Sequence, residues 1–179
     1  MLNRNIRGVE VQIVDTLGST MDQGKLLARE GFRGILMAYE QTAGRGIGPR
    51  KWHSPQGGLY FTWIMDYNHL DPITEFGEVL LHMAAIRTLK DYGISNAKVK
   101  APNDLFVNDL KIAGSLKWYF PFGMLLGFGL NLDLPAGSVG GIATSIHELT
   151  QSVLKEQTQQ QRINRIEKFF ENYIEQLSD

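Results

Sequence analysis

The chain contains no cysteine. That absence removes disulfides, thiolate nucleophiles and cysteine-based zinc sites together, and it suits a reducing compartment. An excess of charge of one sign is missing too: 18 lysines and arginines face 19 aspartates and glutamates, a formal net charge of −1. No global field draws such a protein to nucleic acid or to an anionic membrane, so an anionic ligand must be held by a local arrangement. There is no long apolar run, and the N-terminal stretch MLNRNIRGVEVQIV reads neither as a signal peptide nor as a membrane span. The cytoplasm is the default location. The histidines His53, His69, His82 and His147 show no metal-ligand spacing, read as structural or surface residues, and give no reason to expect a protein-bound metal. Internal repeats and low-complexity linkers are absent.

What is present fits one globular domain: 179 residues, 43% hydrophobic and 21% charged. Val9–Val14 alternates apolar and polar residues as a half-buried strand does. Ser19 is an N-cap for a helix to about Arg29, with Asp22 completing a weak capping box, and Gly31 and Gly34 end that helix. Ile35–Tyr39 and Leu59–Met65 read as strands. Asp71-Pro72 opens a second helix, for which Phe76, Val79, Leu80 and Met83 supply an apolar stripe. Val99, Leu105–Val107, Lys111–Ile112 and Phe122–Leu130 are strand candidates, and Asn108-Asp109 is a hairpin turn. The Gln-rich Gln157–Gln161 opens a final helix with Ile163, Ile166, Phe170, Tyr173, Ile174 and Leu177 on one face. Strands outnumber helices and several are joined by short turns. The fold class is α+β, a mixed, mostly antiparallel sheet with packed helices.

Three stretches carry chemistry. In Ala43–Trp52, three glycines lie within five residues and three cations within seven. Glycine lets backbone N–H groups approach an anion, arginine adds planar phosphate recognition, and Trp52 offers a stacking face. The spacing is neither a P-loop nor a dinucleotide fingerprint, and a surface loop with solvated charges reads equally well. Lys100-Ala101-Pro102-Asn103-Asp104 is followed by Lys111-Ile112-Ala113-Gly114. With a hairpin turn between them, Asp104 and Lys111 sit on neighbouring strands and can face one cleft. Such a lysine can neutralise charge developing on a phosphoryl group, and such an aspartate can take a proton from an amine. An exposed Asp–Lys pair beside a turn is the plainer alternative. In Gly127-Phe128-Gly129-Leu130-Asn131 the glycines mark close approach of a ligand or of another backbone, and Asn131 offers a donor and an acceptor, as an adenine edge requires.

Taken in order, Ser19-Thr20, Gln41–Gly46, Arg50-Lys51-Trp52, Gly57–Tyr60, Lys100–Asp104, Lys111–Gly114 and Gly127–Asn131 resemble the motifs of the biotin–protein ligases, and Ala143–Ile146 resembles the segment before that family's last catalytic-domain helices. The resemblance implies the biotin/lipoate ligase fold, which is like the class II aminoacyl-tRNA synthetase catalytic domain. It implies ATP and biotin as substrates, Mg2+ assisting, and biotinyl-5′-AMP as the intermediate passed to a lysine of a biotin carboxyl carrier protein domain. By the same resemblance Ser19, Thr20 and Gln41 would bond the biotin ureido ring or its surroundings. Tyr60 would line the biotin pocket. Gly44, Arg45 and Gly46 would cover the ligand, with Arg45 on carboxylate or phosphate. Arg50 and Lys51 would meet the ATP phosphates, Trp52 would stack near adenine, and Asn103 and Asn131 would border the nucleotide. Lys111 would bind the region of the biotin carboxyl and α-phosphate, and Asp104 would assist the acceptor lysine.

The pattern departs from the family at three places. Ile47 and Gly48 stand where many members have a basic residue, and Ala101 replaces a common tryptophan. Residues 1–179 are expected to form one catalytic domain, without an N-terminal DNA-binding domain or a C-terminal SH3-like domain. No nucleic-acid or membrane partner is expected, and pairing into a homodimer is left open. Two other readings stand beside the ligase: a lipoate or octanoate transferase of the same fold, and a degenerate biotin- or nucleotide-binding module.

Overall fold

Alternation of apolar and polar side chains gives a strand two different faces, and here eight strands share two such faces across one sheet. The computed structural model describes residues 1–6, 8–66, 72–121, 123–134, 137–139, 141–150, 164 and 167–172. The strands are β1 (Leu2–Ile6), β2 (Val9–Leu17), β3 (Gly34–Gln41), β4 (Leu59–Asp66), β5 (Lys98–Lys100), β6 (Asp104–Val107), β7 (Leu110–Phe120) and β8 (Gly123–Leu130). Their order is β1-β2-β3-β4-β8-β7-β6-β5. Only β2 and β3 run parallel, joined by helix α1 (Thr20–Arg29); the other pairs are antiparallel. The expected mixed, mostly antiparallel α+β architecture is thus borne out.

One sheet face carries α2 (Pro72–Asp91) and the helical residues 167–172 over the main core. Ile35, Met37, Phe61, Leu126, Phe128 and Leu130 point to this side, and Phe169 and Phe170 close it against Phe61 with ring centroids 5.9 and 5.1 Å away. The other face carries α1 over a smaller cluster of Met21, Ala28, Leu36, Ile64 and Leu125. The Ser19 hydroxyl caps α1 by accepting from the Asp22 N–H at 3.4 Å. Asn108 and Asp109 have φ of 49° and 61°, the left-handed pair that a type I′ hairpin turn demands.

The structure corrects the sequence reading in three places. β1 forms a hairpin with β2 through Gly8 at φ 90°, although its alternation is too polar to show as a strand. β7 runs on to Phe120, well past Ile112. On α2 the stripe Phe76, Val79 and Met83 faces solvent, with only Leu80 partly against the core; Leu81, Ala84, Ala85 and Leu89 are buried instead. That helix is apolar on more than one side, so its spacing cannot pick the face that the sheet will cover. Asp71, His69, Phe122, Gln157–Gln161, Ile163, Ile166, Tyr173, Ile174 and Leu177 lie outside the described residues. Phe170 is buried, as the helical pattern expects. Among the described residues no helix is long and apolar enough to cross a membrane.

Candidate functional site

Beside α1, the sheet loses its side chains. Gly114 on β7 lies opposite Gly129 on β8, and Gly127 lies two residues from Gly129 on the same face. A methyl group at Gly129 would stand 2.5 Å from Trp52 Nε1, one at Gly114 would stand 3.3 Å from Trp52 Cζ3, and one at Gly127 would stand 2.7 Å from Met21 Sδ. These glycines therefore form a flat floor for what lies above. The resulting cleft, about 100 Å³ in volume, is lined by α1, the loop after β3, and the starts of β6 and β7.

The loop is an ordered excursion. The N–H groups of Thr42, Ala43, Gly46 and Trp52 donate to the carbonyls of Leu17, Gly18, Arg50 and Gly44 at 2.7–3.0 Å. Those four amides are thus engaged within the protein, and the loop presents its cations by side chain. Arg45 is held by Asp22 of α1, with Nε and Nη2 each 2.8 Å from Oδ2. Gly44 has no room for a side chain: a Cβ would stand 2.4 Å from the Trp52 carbonyl oxygen. At the loop's root the Thr62 hydroxyl donates to Thr20 Oγ1 at 2.9 Å, and Thr20 donates to Gln41 Oε1 at 3.0 Å. Gln41 Oε1 also accepts the Thr20 N–H at 2.8 Å, and Gln41 Nε2 donates to Ser54 Oγ at 2.8 Å. Donor and acceptor counting leaves Thr20 Oγ1 one lone pair and Gln41 one amide hydrogen.

Lys111 and Asp104 converge over the glycine floor as the hairpin turn requires, with Lys111 Nζ 2.6 Å from Asp104 Oδ1. The ammonium also lies 5.0 Å from the Trp52 ring centroid, within cation–π range. The Lys111 backbone is gripped by the segment before α3 (Ile146–Thr150): its N–H donates to Ile142 O at 2.6 Å and its carbonyl accepts from Thr144 N at 2.9 Å.

Of the residues expected at a site, the cleft gathers Thr20, Gln41, Arg45, Gly46, Arg50, Lys51, Trp52, Asn103, Asp104 and Lys111. Ser19, Gly44, Tyr60 and Asn131 lie outside its lining. Tyr60 is fully buried, donates to the Pro55 carbonyl at 2.9 Å, and has its phenol pushed well above the ordinary range, first by burial and then by the nearby Glu40 charge. Asn131 is 1% exposed, and its amide donates to Thr144 O at 2.9 Å. Asn103, though on the cleft, gives its amide hydrogen to Ser115 O at 2.7 Å. The sequence reading missed Met21, Ser115 and Leu116, which also line the cleft, and Thr62, which anchors the hydroxyl chain. Period-two register from Gly114 and Gly127 would have found Leu116, but nothing local marks the others.

Residues 19–119 match the biotin/lipoate A/B protein ligase family. The chloroplastic biotin–protein ligase 1 of Arabidopsis thaliana is 29% identical over 147 residues, covering 76% of this chain and 40% of that protein. The chain thus spans about two-fifths of that relative's length. Biotin protein ligase from Leishmania major in complex with biotin superimposes with a TM-score of 0.68 at 24% identity, covering 94% of this chain and 79% of that one. The Aquifex aeolicus enzyme in complex with biotin and ATP gives 0.67 at 24% identity, over 91% and 69%. At these identities the two structures speak for the fold.

Proposed function

The chain belongs to the biotin/lipoate A/B protein ligase family, and from that premise we propose that its cleft activates biotin with ATP and passes biotin to a lysine of a carrier protein. The observation that carries this reading is the Lys111–Asp104 pair, 2.6 Å apart on a glycine floor beneath a loop bearing Arg45, Arg50, Lys51 and Trp52. The relatives from Arabidopsis thaliana and Aquifex aeolicus, named for biotin ligation and seen with biotin and ATP, support the choice of substrates.

In the first step a biotin carboxylate oxygen bonds to the α-phosphorus of ATP, the bond to the bridging β-phosphate oxygen breaks, and pyrophosphate leaves with the electron pair. Lys111 stabilises the charge on the reacting phosphoryl group, and Arg45, exchanging Asp22 for the ligand, neutralises carboxylate or phosphate. Arg50 and Lys51 meet the departing phosphates, and Trp52 offers its ring to the adenine. In the second step the acceptor lysine nitrogen bonds to the anhydride carbonyl carbon, AMP leaves, and Asp104 takes the amine proton. A ureido ring presents an N–H donor and a carbonyl acceptor; the remaining Thr20 lone pair and Gln41 amide hydrogen are its complements. Magnesium would arrive with ATP as part of the substrate, since among the described residues no three His, Asp or Glu side chains cluster to hold it.

Pyrophosphate release from ATP tests the reading, with biotin, lipoate and octanoate offered separately. Release with biotin is expected. Release with lipoate or octanoate and none with biotin would assign the cleft to the other branch of the family.

A further inference from the structure

Helix α2 lies on the sheet face away from the cleft, yet two of its side chains, one turn apart, brace the strands that carry the Lys111–Asp104 pair. Glu78 Oε1 accepts from Ser115 Oγ at 3.0 Å, and its second oxygen lies 3.5 Å from Lys117 Nζ. His82, 2% exposed, places Nε2 3.2 Å from the Asn103 carbonyl oxygen. Asn103 is itself clamped to β7: Ser115 N–H donates to its carbonyl at 2.9 Å, and its amide donates to Ser115 O at 2.7 Å. The next residue is Asp104, where β6 begins opposite Gly114. The His82 ring is fixed edge-on against Phe128 with centroids 6.1 Å apart.

Burial holds the His82 pKa below its ordinary value, overcoming the opposite pull of the Asn103 and Glu78 carbonyls and of the Glu78 and Asp104 charges. The ring is then neutral and has one N–H to give. Nε2 faces the Asn103 carbonyl oxygen, and the Glu78 carbonyl is a second hydrogen-bonding neighbour of the ring. A proton on Nε2 ties Asn103 down; a proton on Nδ1 leaves a lone pair against the Asn103 oxygen. A carbonyl oxygen can only accept, so the 3.2 Å contact is a hydrogen bond in the Nε2–H form.

We propose that His82 is a positioning residue for the Lys111–Asp104 pair: its Nε2–H fixes the Asn103 carbonyl and, through the Asn103–Ser115 clamp, sets where Asp104 enters β6. The proposal rests on the reading of that pair as the reacting centre. It assigns the helix behind the sheet a part in the chemistry in front of it, with Glu78 holding the Ser115 end of the same clamp.

The test compares His82→Leu, which fills the buried site without a donor, with His82→Gln, whose amide can restore one. Each is read for kcat and KM in transfer of biotin to carrier protein, for thermal midpoint, and for the exchange rate of the Ser115 amide, whose hydrogen bond ends on Asn103. For His82→Leu we expect kcat to fall about tenfold, less than the ~10²-fold that follows a 1 Å misplacement. KM for biotin and ATP should stay within about twofold, as for an interaction outside ground-state binding. Ser115 should exchange faster in His82→Leu, and His82→Gln should recover both readouts. Unchanged Ser115 exchange in His82→Leu overturns the proposal, as does equal loss of kcat in the two variants. A wild-type protein that releases no pyrophosphate with biotin overturns the proposed function instead, and the Ser115 exchange comparison still decides the role of His82 in the clamp.

Discussion

Lys111 and Asp104 share one ion pair, yet the two steps of the proposed mechanism ask different things of them. Lys111→Ala removes positive charge from a transferring phosphoryl group, and single-turnover adenylate formation should slow by roughly 10²–10³, the size of effect seen on losing one preorganised donor. Its fold should survive, since the side chain is only partly buried. Asp104→Asn keeps the shape and removes the proton acceptor, so transfer to carrier protein should suffer more than adenylate formation. Equal losses in both half-reactions would contradict that division. Ile47 is a second residue to test: it lines the cleft and is 43% exposed, at the loop position where the resemblance leads one to expect a cation. A charge-assisted hydrogen bond contributes roughly 1.5–3 kcal/mol, about one to two decades if it falls on the off-rate. Ile47→Arg should therefore slow release of biotinyl-5′-AMP, measured by trapping the free intermediate. Release at the wild-type rate would mean that Arg50 or Lys51 already makes the contact.

Among the elements, the loop between β3 and β4 is the one whose local sequence and tertiary setting meet most directly. Its glycines and cations are visible in the chain, but its position comes from Trp52 resting on Gly129 and Gly114. A double-mutant cycle tests that seat. Gly129→Ala should cost about 1–3 kcal/mol by overpacking, and Trp52→Leu should relieve part of that cost, leaving a coupling of at least about 0.5 kcal/mol in thermal unfolding. Strict additivity would place the indole elsewhere. The same seat explains why the cleft measures about 100 Å³, below the roughly 300–1,000 Å³ of ligand pockets.

At the scale of the whole molecule, one sheet stands between the main core and the cleft. The α2 face holds most of the core, and the α1 face holds a small cluster beside the cleft. Ligand bound across α1, the loop and β6–β8 adds contacts to those that already join them, such as Arg45 to Asp22 and Trp52 to the glycine floor. Biotin with a non-hydrolysable ATP analogue at a hundredfold excess over Kd should add about 2.7 kcal/mol to stability. For a chain of this size that is a rise in Tm of about 5–10 °C, since 1 kcal/mol corresponds to roughly 2–4 °C. Differential scanning fluorimetry reads it. No rise with biotin, beside a rise with lipoate, would redirect the substrate assignment.

The sequence by itself determined what depends on near neighbours. Period-two alternation marks β2, short apolar runs mark β3 and β4, Ser19 caps α1 with its own hydroxyl, and Asn108-Asp109 makes the tight turn that brings Asp104 and Lys111 together. Most of the cleft was legible because it is built from short contiguous motifs around glycines. Only the tertiary structure decided which face of α2 is buried, because that helix carries apolar residues on several sides and the sheet chooses among them. It also decided that Asn103 and Asn131 give their amide hydrogens to Ser115 and Thr144, since an amide's partner is set by whichever distant strand lies within reach. For the same reason His82, one unremarkable histidine in a helix, came to stand behind Asn103: a hydrogen bond across 21 residues leaves no periodic trace in the chain that makes it.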